Sequence, residues 1–252
     1  MGAGLILILD FDGTLAPLVP RPAEAVLDPE VRRRLRRLAT HPRVRLAIVS
    51  GRSLSDIRRR VGLKRVVYGG CHGLEIRGPG LGFRHPVSPS VRRGLAMARR
   101  LVNDTIAHVP GIDVEWKRLA LAVHYRGVSA SRLRVLFRRI KEVSARAGLA
   151  LLLGEKVWDL VPPGHRGKSS AVRLIRDRLR RELGGRVFTL FAGDDVTDAD
   201  AFVALRERGI AVQVGRSRGA ADYHLRGVRE IHTLLSWIAD RGLASRSARS
   251  KR

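Results

Sequence analysis

The sequence has a single cysteine, Cys71, among its 252 residues. One thiol cannot form an intrachain disulfide, and such sparing use of cysteine is typical of a reducing compartment. No stretch approaches the roughly 18 consecutive apolar residues that suggest a membrane-spanning helix. The first apolar run leads directly into an aspartate, with no basic segment or cleavage pattern around it. We therefore expect a soluble, cytoplasmic protein.

Acidic and aromatic residues are also scarce. Asp and Glu number 23 against 49 Lys and Arg, which gives a formal net charge of +26 and raises the question of nucleic-acid binding. Aromatic residues make up only 5% of the chain and do not alternate with the basic clusters as base-stacking residues would. The arginines at 32–37 instead surround an apolar helical stripe. We expect non-specific polyanion binding at most, and no specific nucleic-acid partner.

Apolar runs alternate with amphipathic segments at both ends of the chain. Strands are predicted at 4–10, 44–49, 65–69, 187–192 and 210–214, and helices lie beside them. This alternation predicts an α/β fold with a mostly parallel sheet that is covered on both faces.

The middle of the chain has a different pattern. Two alternating strands are predicted within 112–126, then a helix at 129–147 and strands at 149–153 and 156–161, which is typical of an α+β unit. We expect a core domain formed by 1–74 and 164–240, an inserted α+β domain at 75–163, and a basic, disordered tail at 241–252.

The first predicted strand ends in two carboxylates, Asp10 and Asp12. Ligands bind outside the carboxyl ends of strands in open α/β sheets. A buried, unpaired carboxylate is costly, so we expect a cation here, and Mg²⁺ is a hard divalent ion that takes oxygen ligands. Gly13 and Thr14 follow with backbone N–H groups and a hydroxyl that suit phosphate oxygens.

A second acidic cluster, with Asp194 and Asp198, follows another apolar strand. Ser50 follows the strand at 44–49, and Lys168 stands at the start of a helix. A turn, a helix cap or a solvated lysine would explain each feature singly. Together, a carboxylate nucleophile, a metal, a hydroxyl and a lysine indicate phosphoryl transfer.

These residues resemble the motifs of the haloacid-dehalogenase-like phosphatases: "DFDGTL", "VSGRS", Lys168 and "GDDVTD", in that order. The resemblance implies a Rossmann-like core and an inserted cap domain. It implies that Asp10 forms an aspartyl phosphate and that Asp12 protonates the leaving alcohol and then activates water. The resemblance further implies that Asp10, the Asp12 main-chain carbonyl and Asp194 hold Mg²⁺, with support from Asp198. It implies that the phosphoryl group is surrounded by Thr14, Ser50, Gly51, Arg52 and Lys168.

The stretch "VEWKRLALAVHYR" (114–126) resembles the cap motif of trehalose-6-phosphate phosphatases. In that family, residues that match Glu115, Lys117 and His124 contact the sugar. Two further stretches, "YGGCHGLEI" and "VWDLVPPGHRGKSSAV", also resemble the family. A surface ion pair beside a hydrogen-bonded histidine is the structural alternative for the cap motif.

The sequence departs from the family where a Glu and, two residues later, an Arg are usual; here Asp159 and Val161 stand there. Asp159 is expected to reach a sugar hydroxyl through water. The function expected is Mg²⁺-dependent hydrolysis of trehalose 6-phosphate by a monomer, in trehalose biosynthesis. The alternatives are a related phosphatase for sucrose phosphate or mannosyl phosphoglycerate, and a basic nucleic-acid-binding protein on a hydrolase fold.

Overall fold

A computed structural model gives the fold and describes residues 3–165, 167–206, 208–216 and 219–242. Its strands are β1 (Gly4–Leu9), β2 (Val44–Val49), β3 (Val66–Gly70), β4 (Glu75–Gly78), β5 (Leu81–Arg84), β6 (Asp113–Trp116), β7 (Leu121–His124), β8 (Ala150–Gly154), β9 (Val157–Val161), β10 (Val187–Gly193), β11 (Ile210–Val214) and β12 (Tyr223–Leu225). Its α-helices are α1 (Pro29–Thr40), α2 (Leu54–Val61), α3 (Pro89–Thr105), α4 (Ala130–Ala147), α5 (Gly167–Leu183), α6 (Val196–Leu205) and α7 (Val228–Trp237).

The chain divides into two compact units. The first comprises Met1–Phe83, Lys168–Asp194 and Asp198–Arg252, and the second comprises Arg84–Gly167 and Asp195–Thr197. The first unit therefore continues beyond the boundary predicted between residues 74 and 75, because β4 and β5 extend its sheet. The predicted tail at 241–252 lies, beyond Gly242, outside the described residues.

The first unit is built on an eight-stranded sheet with the order β12-β11-β10-β1-β2-β3-β4-β5. The pairs from β12 to β3 are parallel, and β4 runs antiparallel to β3. The chain leaves β1 toward β2 on one side and returns to β10 on the other. This reversal of strand order creates a crevice at the carboxyl end of β1.

Both faces of this sheet are covered by helices, because successive side chains of a strand point to opposite faces. Leu7 and Leu9 of β1 belong to a buried cluster with residues of α1, α2 and α7. Ile6 and Ile8 belong to another, with residues of α5 and α6. The prediction of a mostly parallel sheet covered on both faces is confirmed, and β1 is buried on both sides.

The second unit has a four-stranded antiparallel sheet with the order β6-β7-β9-β8. Its apolar face is formed by Leu121, Val123, Trp158 and Leu160, which share one buried cluster with residues of α3 and α4. The opposite face of β6, β7 and β9 carries polar side chains. No helix among the described residues is both long and apolar enough to cross a membrane.

Candidate active site

Three loops of the first unit begin at the carboxyl ends of adjacent strands. Asp10 follows β1, and its N–H donates to the carbonyl of Ala192 in β10 at 2.8 Å. Ser50 follows β2, and its N–H donates to the carbonyl of Gly69 at 2.9 Å. Asp194 follows β10. Because β1 lies between β10 and β2, the sheet brings the three loops to one edge.

A cluster of carboxylates forms at this edge. Asp10, Asp194 and Asp198 each offer an oxygen, and these atoms lie within 4.8 Å of one another. The Nζ atom of Lys168 lies 2.7 Å from Asp10 Oδ1 and 2.9 Å from Asp198 Oδ1. Lys168 and Asp198 are buried, so the lysine charge acts in a medium that screens it poorly. Among the residues that the structure describes, one lysine therefore faces three carboxyl groups.

Burial and the neighbouring charges raise the pKa of two of these carboxyl groups. Burial raises the pKa of Asp10 to about 7, with Lys168 opposing the rise and Asp198 adding to it. Burial, followed by the nearby charges of Asp10 and Asp198, raises the pKa of Asp194 to about 10. A divalent cation would reverse both effects, because it favours the ionised carboxylates. A set of carboxylate oxygens without nitrogen or sulfur fits Mg²⁺.

Two glycines make room for the carboxylates. Gly13 has φ +76°, and a Cβ atom there would lie 1.9 Å from Asp194 Oδ2. A Cβ atom on Gly193 would lie 2.4 Å from Asp198 Cγ. Any other residue at position 13 would therefore be strained in its backbone and would displace Asp194.

Thr14 is fully buried in the loop after β1. Its Oγ1 atom has no hydrogen-bond partner among the described residues. Because a buried hydroxyl without a partner is unfavourable, a ligand oxygen at this loop would satisfy it. This fits the expected phosphate contact, which stays a prediction.

Arg52 was expected to bind substrate, but the structure places its guanidinium against protein acceptors. Nε donates to Asp12 Oδ2 at 2.7 Å, and one terminal nitrogen donates to Asp12 Oδ1 at 2.6 Å and to the Pro22 carbonyl at 2.7 Å. The other terminal nitrogen donates to Asp56 Oδ2 at 2.9 Å. Burial disfavours the charge, yet the hydrogen bonds from Arg52 to Asp12 and Asp56 raise the pKa of Arg52 above its usual value.

Asp56 was missed by the sequence reasoning. Its carboxylate accepts from Arg52, from Arg60 Nε at 2.7 Å and from Arg59 at 2.6 Å. Burial opposes ionisation, but these arginines lower the pKa of Asp56 below its usual value. Part of the signal was present, since Asp56 and Arg60 of α2 are spaced four residues apart, as ion pairs on a helix often are.

The Ser50–Arg52 loop is held by a left-handed segment after β3. The N–H of His72 donates to the Ser50 carbonyl at 2.9 Å, and that of Cys71 donates to the Arg52 carbonyl at 2.7 Å. Cys71 and His72 have φ of 50° and 56°. A Cβ atom on Gly51 would lie 2.8 Å from His72 Cε1, so glycine is required for this approach. Ser50 is buried, and its Oγ accepts from the Arg52 N–H at 3.2 Å.

The second unit brings its predicted site residues onto the polar sheet face. Ala122 pairs with Glu115 of β6 and with Asp159 of β9, so these three residues lie side by side. Lys117 Nζ lies 2.9 Å from Asp159 Oδ1 and 3.9 Å from Glu115 Oε2. His124 Nε2 lies 3.4 Å from Glu115 Oε2. Four polar side chains therefore surround one alanine.

Two details distinguish this polar face from an ordinary sheet surface. Burial opposes ionisation of Glu115, but the hydrogen bond with His124 and the charge of Lys117 lower its pKa below the usual value. The Nδ1 atom of His124 is buried and has no hydrogen-bond partner among the described residues. Asp159, expected to reach a sugar through water, is only 1% exposed and pairs with Lys117.

Comparisons with known proteins show which family the chain resembles. The sequence profile of the trehalose-phosphatase family matches residues 8–228. A Mycobacterium tuberculosis protein named as an uncharacterized glycosyl hydrolase is 36% identical over 239 residues, which cover 92% of this chain and 18% of that protein. The trehalose-phosphate phosphatase of Mycobacterium ulcerans is 33% identical over 206 residues, which cover 81% of this chain and 52% of that protein.

A solved structure shares the fold. The crystal structure of a trehalose-6-phosphate phosphatase related protein superposes with a TM-score of 0.77 at 28% identity, over 94% of this chain and 98% of that one. The chain thus spans about half, or less, of the curated relatives it matches, 52% of one and 18% of another. The profile match covers most of the sequence and includes every strand end described above. The chain therefore belongs to the trehalose-phosphatase family.

Proposed function

We propose that the chain is a Mg²⁺-dependent phosphatase that hydrolyses trehalose 6-phosphate to trehalose and phosphate through an aspartyl phosphate on Asp10. The observation that carries the proposal is the Asp10 carboxylate at the end of a buried strand, with Lys168 Nζ at 2.7 Å and two further carboxylates beside it. The names of the relatives, trehalose-phosphate phosphatase among them, support the substrate.

Mg²⁺ would be held by the carboxylates of Asp10 and Asp194 and by the main-chain carbonyl of Asp12. The raised pKa values of Asp10 and Asp194 support this, since burial and then the neighbouring carboxylates disfavour the ionised forms, and a cation would offset both effects. The space that Gly13 leaves for Asp194 supports it as well. When bound, the ion supplies positive charge that stabilises the negative charge developing on the phosphoryl oxygens.

In the first half-reaction, an Asp10 oxygen forms a bond to phosphorus. The ester P–O bond breaks, and its electron pair passes to the sugar oxygen, which takes a proton from the Asp12 carboxyl group. Lys168, Ser50 and Thr14 hold the phosphoryl oxygens and offset their charge. The unpartnered hydroxyl of buried Thr14 supports this role.

In the second half-reaction, Asp12 takes a proton from water, and the water oxygen bonds to phosphorus. The bond from phosphorus to Asp10 breaks, its electrons return to the carboxylate, and phosphate leaves. Asp12 thus recovers the proton it gave, and the atoms balance over the cycle. Lys168 keeps Asp10 oriented through both steps because it also contacts Asp198.

We propose that the polar face of the second unit binds the sugar hydroxyls. Glu115 accepts, Lys117 donates, and His124 has a buried Nδ1 atom without a partner among the described residues, which a hydroxyl would satisfy. Asp159 acts by holding Lys117, to which it lies at 2.9 Å. Val161 supplies no charge, so the recognition rests on the other three.

The test is phosphate release with Mg²⁺ from trehalose 6-phosphate, glucose 6-phosphate and sucrose 6-phosphate. We expect much faster phosphate release from trehalose 6-phosphate than from the other two esters, and no release in Asp10→Asn. Equal rates with all three esters would leave the chemistry standing and contradict the substrate. No release from any ester would contradict the proposal and favour the alternative of a basic binding protein.

A further inference from the structure

Four of the five N–H groups of the Arg52 guanidinium donate to protein acceptors. All three guanidinium nitrogens donate hydrogen bonds, to Asp12, to Asp56 and to the carbonyl of Pro22. The side chain is 8% exposed, and its Cζ atom lies 5.5 Å from the centre of the Phe11 ring. A phosphate could take a paired contact with either terminal edge of this guanidinium only by breaking one of these hydrogen bonds to protein acceptors. This arrangement disfavours a role for Arg52 as a substrate ligand.

The bonds to Asp12 are of the paired kind. Nε and a terminal nitrogen of Arg52 donate to different oxygens of Asp12, at 2.7 and 2.6 Å. Such a fork fixes the plane of a carboxyl group as well as its distance. The fork occupies the edge between the two oxygens, and the outer lone pair of each oxygen remains to carry a proton. Asp12 is 28% exposed, so that outer side is reachable.

The guanidinium is itself held from behind. Asp56 accepts from the terminal nitrogen of Arg52 that does not contact Asp12, and Asp56 is held in turn by Arg60 at 2.7 Å. The main chain of Arg52 is tied at both polar groups, to Ser50 Oγ and to the Cys71 N–H. These contacts fix the orientation of the Arg52 guanidinium, and its hydrogen bonds to Asp12 fix the orientation of the Asp12 carboxyl group.

We propose that Arg52 is a positioning residue that aims the Asp12 carboxyl group at the leaving oxygen, and that Asp56 anchors it. The inference rests on the proposed function, in which Asp12 protonates the leaving alcohol. Mispositioned, Asp12 would no longer deliver the proton as the ester P–O bond breaks. The loss of rate is then large when the leaving group is basic and needs the proton, and small when the leaving group can depart as an anion.

The test compares phenyl phosphate with p-nitrophenyl phosphate, which have similar shapes but leaving groups of different basicity. We expect Arg52→Gln to lower kcat/KM for phenyl phosphate about tenfold more than for p-nitrophenyl phosphate, and to lower it about 100-fold for trehalose 6-phosphate, within the range of general acid catalysis. Arg59→Gln is the matched control, because Arg59 contacts Asp56 from the surface, where it is 78% exposed.

A double-mutant cycle measures the coupling between Arg52 and Asp12 independently. If Arg52 acts through Asp12, Arg52→Gln adds no further loss to Asp12→Asn on p-nitrophenyl phosphate. Equal losses on both aryl esters, or additive losses in the cycle, would overturn the inference, as would a rise in KM alone. Should Arg52→Gln fail to fold by circular dichroism, Asp56→Asn takes its place, with the same leaving-group dependence and a smaller effect.

The outcomes separate the two proposals. A wild-type chain that is inactive on phenyl phosphate, p-nitrophenyl phosphate and trehalose 6-phosphate overturns the proposed function and this inference with it. A wild-type chain that hydrolyses them, with Asp10→Asn inactive and the losses in Arg52→Gln independent of the leaving group, overturns the inference alone.

Discussion

Lys168 Nζ lies 2.7 Å from Asp10 Oδ1, although the two residues are 158 positions apart in the sequence. The first stands at the start of α5 and the second at the end of β1, and both are buried. Lys168 Nζ also lies 2.9 Å from Asp198 Oδ1. The lysine therefore contacts two of the three clustered carboxylates. The following predictions concern this cluster and the polar face of the second unit.

Removing the lysine is expected to destabilise the protein. Lys168→Met should lower the free energy of unfolding in EDTA by about 3 kcal/mol, because removing one partner of a buried ion pair strands the other. It should also abolish phosphate release. Urea unfolding of wild type, Lys168→Met and Lys64→Met measures the effect, since Lys64 is exposed. Wild-type stability in Lys168→Met would contradict the role of this ion pair.

Alanine at position 13 is expected to do more than strain the backbone. Gly13 and Gly62 have similar φ, +76° and +65°, but only at Gly13 would a Cβ atom meet a carboxylate. Both Gly13→Ala and Gly62→Ala should lose about 1–2 kcal/mol of stability from the left-handed backbone. Only Gly13→Ala should also weaken Mg²⁺ binding, by roughly 10- to 100-fold. Isothermal titration with Mg²⁺ distinguishes them, and equal affinities would contradict the prediction.

Replacing Asp194 is expected to have opposite effects with and without metal. In EDTA, Asp194→Asn should be at least as stable as wild type, because it removes a buried carboxyl group whose pKa is raised by burial and by its acidic neighbours. With Mg²⁺ at 100 times its Kd, wild type should gain about 2.7 kcal/mol and Asp194→Asn almost none.

Thermal melts with Mg²⁺ and with EDTA measure both effects of Asp194→Asn. Asp177→Asn is the control, because Asp177 is 52% exposed and pairs with its neighbour Arg176. Mg²⁺ stabilisation of Asp194→Asn equal to that of wild type would place the metal elsewhere.

The polar face of the second unit is expected to set specificity without affecting the chemistry. Glu115→Gln and His124→Ala should each lower kcat/KM for trehalose 6-phosphate by about 10- to 100-fold, since a hydrogen bond to a charged group contributes about 1.5–3 kcal/mol. Hydrolysis of p-nitrophenyl phosphate should stay within about twofold of wild type, which is the usual scatter of a neutral substitution. Glu142→Gln, on the exposed side of α4, is the control. Parallel losses on both esters would contradict sugar recognition here.

Much of the fold was predictable because its signals are local. The strand at 44–49 and the strand at 210–214 have the predicted bounds, and β1 differs by one residue. An apolar run that ends in a carboxylate also identified Asp10 as the end of a strand. Two alternating strands were predicted within 112–126, and β6 and β7 lie there.

The remainder depends on contacts that no local pattern contains. The buried pair of Lys117 and Asp159 spans 42 residues and crosses a strand that lies between them. Arg52 donates to Asp12, which lies 40 residues earlier in the sequence. Because the "VSGRS" motif contains no sign of this contact, it suggested that Arg52 binds phosphate. The boundary at Phe83 was missed because β4 and β5 are short. Pairing places them in the sheet, β4 against β3 and β5 against β4.

The covalent role of Asp10 is the central claim, and trapping the intermediate tests it most directly. Wild type and Asp12→Asn would be quenched in acid during turnover of p-nitrophenyl phosphate, reduced with borohydride and analysed by peptide mass spectrometry. Borohydride converts an aspartyl phosphate to homoserine. The account predicts homoserine at position 10, more of it in Asp12→Asn because water is no longer activated, and none in Asp10→Asn. Turnover with unmodified Asp10, or with homoserine at another position, would contradict it.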